Sequence, residues 1–73
     1  MTKEEFITEL EEIFQLDEGT LDVSQKLEDM EEWDSMAALA LIGLFDSMLS
    51  KELPADEITK FETIEDIIKF AGL

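Results

Sequence analysis

The sequence predicts an all-α fold, a small four-helix bundle with three main helices, one short helix and a long first loop. Three observations carry this. Apolar residues recur at intervals of three and four, no run alternates with a period of two, and Gly19, Pro54 and Gly72 fall where helices should stop or turn. A chain of 73 residues accommodates one domain, expected over residues 1–73.

The first helix opens on Thr2 and Glu5, which fit a capping box: hydroxyl and carboxylate each take a free N–H at the helix start. Phe6, Leu10, Ile13 and Phe14 form its apolar stripe, with Glu4, Glu9, Glu11 and Glu12 mostly on the other side. It is expected to end near Leu16. Residues 17–34 then carry eight carboxylates against Lys26 alone. A connection this long is normally functional or tied down by packing. Leu21, Val23, Leu27 and Met30 are spaced to dip into a core, so an ordered loop is expected.

The second helix is expected from about Ser35 to Leu49 or Ser50, with Asp46 its only charge. Leu41, Ile42, Phe45, Met48 and Leu49, continued by Ala38, read as its buried stripe. Met36, Ala37, Ala40, Gly43 and Ser47 read as a small, neutral face left for solvent or a partner. Gly43 costs the helix about 1 kcal/mol relative to Ala, and the expected reason is a crossing of two helices. After Pro54, residues 56–61 point to a short helix or turn. Thr63 caps the last helix with Asp66 at its third position; Ile64, Ile67, Ile68 and Phe70 give the apolar side, Lys69 lies in the last turn and Gly72 fits the stop.

Composition narrows the function. Twenty Asp and Glu against five Lys give a formal net charge of −15, which repels nucleic acid and anionic membranes and favours basic protein surfaces as partners. Solubility alone is the alternative role for this acidity. Self-repulsion strains the compact state, so stability should rise with salt. With no Cys, no disulfide forms, and a reducing, cytoplasmic location is expected. The first residues lack the basic and apolar regions of a signal peptide, and the apolar-rich stretch 36–49 is shorter than the ~20 residues that span a bilayer. A soluble monomer is expected. There is also no His and no Tyr. Beyond carboxylates and a few Lys, nothing here serves as nucleophile or base near neutral pH, so a non-catalytic protein whose reactive group comes from outside is expected.

The natural attachment point is Ser35 in Trp33-Asp34-Ser35-Met36. Asp and Ser are both preferred N-caps, and capping alone would explain the pair. Ser35, however, follows the long acidic loop and opens a helix whose neighbouring face is uncharged. A helix N-terminus tolerates a phosphate well, so a phosphodiester on the Ser35 oxygen would sit comfortably there. Trp33 reads as a half-buried anchor fixing the loop against a helix.

With these residues in view, the chain resembles the acyl carrier proteins over nearly its whole length: first helix, long loop, Asp34-Ser35-Met36, second helix, Leu53-Pro54 and Thr63-Ile64-Glu65-Asp66. The resemblance implies that Ser35 carries 4′-phosphopantetheine, added from coenzyme A by a phosphopantetheinyl transferase. The arm's thiol would hold an acyl group as a thioester for acyl-loading and acyl-processing enzymes of fatty acid, polyketide or related specialised biosynthesis. Asp34 would cap the helix and help the transferase recognise the site, and Met36 stands where the family usually has Leu. The resemblance further implies that a core lined by Phe6, Leu10, Leu41, Ile42, Phe45, Ile58, Ile64 and Ile68 parts to admit an acyl chain; as a plain reading these residues are simply core.

The departures point to a carrier dedicated to one pathway. Family members generally carry acids on the second helix, where this chain has Ala37 and Ala40, with Asp46 surviving. Acidic charge sits instead at Glu28, Asp29, Glu31 and Glu32. Partners are therefore expected to meet Met36, Ala37, Ala40, Gly43, Asp46 and Ser47 through shape and apolar contact, with Glu31 and Glu32 steering them. Two alternatives remain open at this point. One is an aminoacyl or peptidyl carrier, although Glu-Trp-Asp-Ser leans towards the acyl side. The other is a non-carrier acidic interaction or ion-binding module, although Asp17-Glu18-Gly19 lacks EF-hand spacing and no metal site is expected.

Overall fold

The computed structural model describes residues 1–73. Four α-helices follow in order: α1 Lys3–Phe14, α2 Ser35–Leu49, α3 Ala55–Ile58 and α4 Ile64–Phe70, with a single 3-10 turn at Leu27–Asp29 inside the first loop. There are no strands; one antiparallel bridge joins Lys26 to Thr63. The all-α expectation and the one short helix are thus both met.

Local chemistry sets the helix starts. Thr2 Oγ1 accepts from the Glu5 N–H at 3.1 Å while the Thr2 N–H donates to Glu5 Oε1 at 2.9 Å. Thr63 and Asp66 repeat the box at α4: Asp66 accepts from the N–H groups of Glu62 and Thr63, and Thr63 Oγ1 accepts from Asp66. Hydrogen bonds to the charged form hold the Glu5 and Asp66 carboxyls below their ordinary range; for Asp66 the Glu62 N–H contributes most. The helix α1 stops sooner than Leu16, at Phe14, because Gln15 turns left-handed (φ 59°) as its C-cap.

The core is continuous and mostly aliphatic. Phe6, Leu10 and Phe14 of α1 meet Ala37, Leu41, Leu44 and Phe45 of α2 and Ile64, Ile67 and Ile68 of α4, all buried. Phe6 stands edge-on to Phe45 with ring centroids 5.7 Å apart, and Phe45 lies 5.9 Å from Phe70. Leu27 and Met30 are buried and Leu21 and Val23 pack against the same core, so the loop is ordered as expected. Its middle is laced to the start of α4: Leu27 N–H donates to Glu62 O, while the Ile64 and Glu65 N–H groups donate to Gln25 O and Val23 O. A backbone that pairs its polar groups this way lies against the core without leaving them orphaned.

Four expectations fail here, each for a geometric reason. Ala37 is buried, because positions 37, 41 and 44 share one side of α2 and that side packs on α1. Small size had placed it on the outer face. Met48 is 53% exposed, since the helix runs past the end of the core, and Leu49 is only half-buried. Glu11, read as an outward acid, is 3% exposed. Gly43 marks no helix crossing: a Cβ built there meets nothing within 4 Å. Of the expected core, Ile42 and Ile58 are partly buried and the other six are fully so.

Candidate functional site

The loop delivers Asp34 and Ser35 to the head of α2. Trp33, half-buried as expected, packs edge-to-face on Phe14 with centroids 6.0 Å apart, which ties the end of the loop to the last turn of α1. The other end of the loop is held by Glu11, one turn earlier on α1. Its Oε2 accepts from the Gly19 N–H at 2.8 Å and the Leu21 N–H at 3.0 Å. One helical turn therefore clamps both ends of the connection. Between the clamps, Asp22 accepts from the Ser24 hydroxyl and then its N–H, which hold its carboxyl below the ordinary range.

Asp34 is the N-cap, with Oδ1 accepting from the Ala37 N–H at 2.9 Å. Its carbonyl takes the Ala38 N–H, which leaves the N–H groups of Ser35 and Met36 without a protein acceptor. Ser35 is the first residue of α2 and is exposed. The first turn of this 15-residue helix holds no acid. An exposed hydroxyl beside two free N–H groups, at the positive end of a helix dipole, suits a serine-linked phosphodiester. The residues present therefore fit a phosphopantetheine group.

The surface around Ser35 is apolar on the helix and acidic on the loop. Met36 is 78% exposed, and Leu39, which the sequence reading missed, is 68% exposed. Ala40, Gly43, Asp46 and Ser47 are exposed with them, and so are Glu31 and Glu32 on the loop, whereas Ala37 is not available to a partner. At about 100° per residue, Ser35 shares a helix face with Leu39, Ile42 and Asp46. That face borders an open groove of about 670 Å³ completed by Gly43, Lys51, Glu52 and Leu53. The Lys51 ammonium is bonded to the Phe70 carbonyl and lies 4.6 Å from the Phe70 ring centroid. No three carboxylates converge as a metal site would require, and no helix is long and apolar enough to cross a membrane.

No curated protein and no solved structure matches the chain. A model of one protein family, described as the phosphopantetheine attachment site, matches residues 4–71, a span that takes in all of the geometry above. The chain therefore belongs to the phosphopantetheine attachment site family, as a carrier domain that has no catalysis of its own and holds a 4′-phosphopantetheine group, installed by a transferase, for use by client enzymes.

Proposed function

We propose that Ser35 is the attachment residue and that the arm holds an acyl group as a thioester, for separate enzymes of one dedicated biosynthetic pathway of the fatty acid or polyketide type. The observation that carries the assignment is the exposure of Ser35 at the first position of α2, beside the two N–H groups that lack acceptors. Asp34, by capping the helix, keeps that position rigid and contributes to recognition by the transferase. When bound, the group supplies the thiol that this chain lacks. The groove along Leu39, Ile42 and Gly43 lies on the serine's own helix face, and we read it as the resting place of the cargo, which favours an acyl chain over a polar one.

Partners on this reading make apolar contact with Met36, Leu39, Ala40, Gly43 and Ser47, meet Asp46 at the edge, and are steered by Glu31 and Glu32. The test is intact mass after incubation with coenzyme A and a broad-specificity phosphopantetheinyl transferase. One added phosphopantetheine, absent in Ser35→Ala, is the expected result. A folded wild-type chain that gains no mass, with its host's own transferase as well, would overturn the assignment. Thermal melts of long-chain acyl and unacylated forms then address the cargo: a higher melting temperature on acylation supports a chain lying in the groove or core.

A further inference from the structure

We propose that Gly43 selects the acyl group this carrier seats. The space left by its missing side chain takes the thioester end of the loaded arm and admits a cargo branched beside the thioester. The proposal rests on the carrier reading and on the groove as the cargo's resting place, and adds to them a residue that sets specificity. Nothing inside the chain accounts for a glycine at this position. The left-handed glycines are Gly19 and Gly72, so the backbone at Gly43 needs no special freedom. A Cβ built there meets nothing within 4 Å, so no packed neighbour excludes alanine. Alanine would also make the more stable helix in the interior of α2. A residue that lowers stability without serving the fold points to function, and the open space is reserved for something outside the chain.

The place of Gly43 on α2 names the occupant. It is exposed and lines the groove of about 670 Å³ together with the apolar Leu39, Ile42 and Leu53. It stands about 80° round the helix from Ser35 and about 12 Å along it, with Asp46 about 16 Å along. From phosphorus to sulfur the arm has about thirteen backbone bonds, which at roughly 3.3–3.6 Å for every three bonds of extended chain reach about 15 Å. An arm laid along the serine's side of α2 therefore ends between Gly43 and Asp46, and a slight bend sets the thioester abreast of the glycine. A straight chain gains little from a missing methyl at one point of its path. An acyl group with a substituent on the carbon next to the thioester is widest at this level, and the notch over Gly43 gives that substituent contact with the helix backbone. Leu39 and Ile42 in the same groove favour an apolar substituent.

The test loads the full chain from two acyl coenzyme A thioesters of equal main-chain length, octanoyl and α-methyloctanoyl, with a broad-specificity transferase. No partner enzyme is present, so an enzyme contact at Gly43 contributes nothing. Intact mass verifies loading; the methyl shifts of Leu39, Ile42 and Leu53 and the melting temperature are then compared with the unacylated holo form. In wild type both cargoes should move these methyls and raise the melting temperature. In Gly43→Ala, which should fold more stably, the straight cargo should keep its response and the branched one lose most of it. Gly43→Leu fills the groove and should abolish both. Equal changes for the two cargoes in Gly43→Ala, or responses that survive Gly43→Leu, overturn the proposal and leave the carrier and groove readings standing. A loaded wild-type chain whose methyls move with neither cargo refutes the groove as well, and a chain that gains no mass refutes the carrier assignment itself.

Discussion

Removing the Glu11 carboxylate should cost this domain much of its stability. The side chain is 3% exposed and Oε2 accepts two backbone N–H groups at 2.8 and 3.0 Å. Hydrogen bonds to a charged group contribute about 1.5–3 kcal/mol each. Gly19 is exposed and Leu21 half-buried, so water competes for the freed donors and the low end applies, about 3 kcal/mol for the pair. Glu11→Ala also removes one buried methylene, worth about 0.8 kcal/mol. One term opposes these: the variant removes a negative charge from a chain at net −15 and relieves some self-repulsion. Glu11→Gln removes the same charge but keeps an acceptor, so the difference between the two variants cancels that relief. Urea unfolding followed by the emission of Trp33, the sole tryptophan, should place Glu11→Ala about 2 kcal/mol below Glu11→Gln. That corresponds to roughly 8–16 °C in Tm for a domain of this size. Amide exchange at Gly19 and Leu21 should quicken in both variants. Equal stability of the two would refute the reasoning, because it would mean that water replaces the carboxylate without loss.

Three further outcomes are expected. Gly43→Ala should stabilise the chain by roughly 0.8–1.0 kcal/mol, since the new Cβ meets nothing within 4 Å; a thermal melt showing loss instead would mean that the helix is distorted there. Asp66 lies below its ordinary range when folded because it accepts from the Glu62 and Thr63 N–H groups, so its contribution is present above the unfolded value of about 3.9 and is lost as pH falls through the folded one. The melting difference between wild type and Asp66→Ala should therefore be full near neutrality and shrink with acid below about pH 4; a difference that grows in acid would contradict the capping role. Reversing Glu31 and Glu32 to Lys should slow association with a basic partner and flatten its salt dependence, while Ala40→Glu on the contact face should chiefly raise the off-rate; stopped-flow kinetics showing the opposite partition would remove the steering role. Ala37→Glu is unsuitable for that comparison, because it would bury a carboxylate at a 5% exposed position and unfold the chain.

What could be read from the sequence was what is local in it. Both capping boxes link residues three apart, and the N-cap of α2 is an Asp followed by an apolar run, so both were legible. Glu11 was not. It lies at the edge of the α1 stripe, where periodicity does not separate inside from outside, and its partners are eight and ten residues away in a loop whose path no local rule gives. Ala37 failed for another reason. Its apolarity was right, but facing position follows from register with Leu41 and Leu44 and not from size. Leu39, which the sequence reading assigned to neither face, is exposed because it lies across the helix from Ala37, Leu41 and Leu44, the side that packs on α1.

The separation of charge from contact proposed above for this carrier has a physical logic. Fixed charges inside a contact must be desolvated and then matched, which makes release slow and partners few. Placed on the loop at Glu28, Asp29, Glu31 and Glu32, the same charges act across roughly a Debye length of 10 Å and speed encounter without entering the contact. On that reading Met36, Leu39, Ala40, Gly43 and Ser47, with Asp46 at the edge, make a small, mostly apolar patch, which grips weakly and lets go quickly. A domain that must visit an installing transferase and several client enzymes in turn gains from fast arrival and fast departure more than from tight binding. Selectivity then has to come from a feature that is geometric and adds little area.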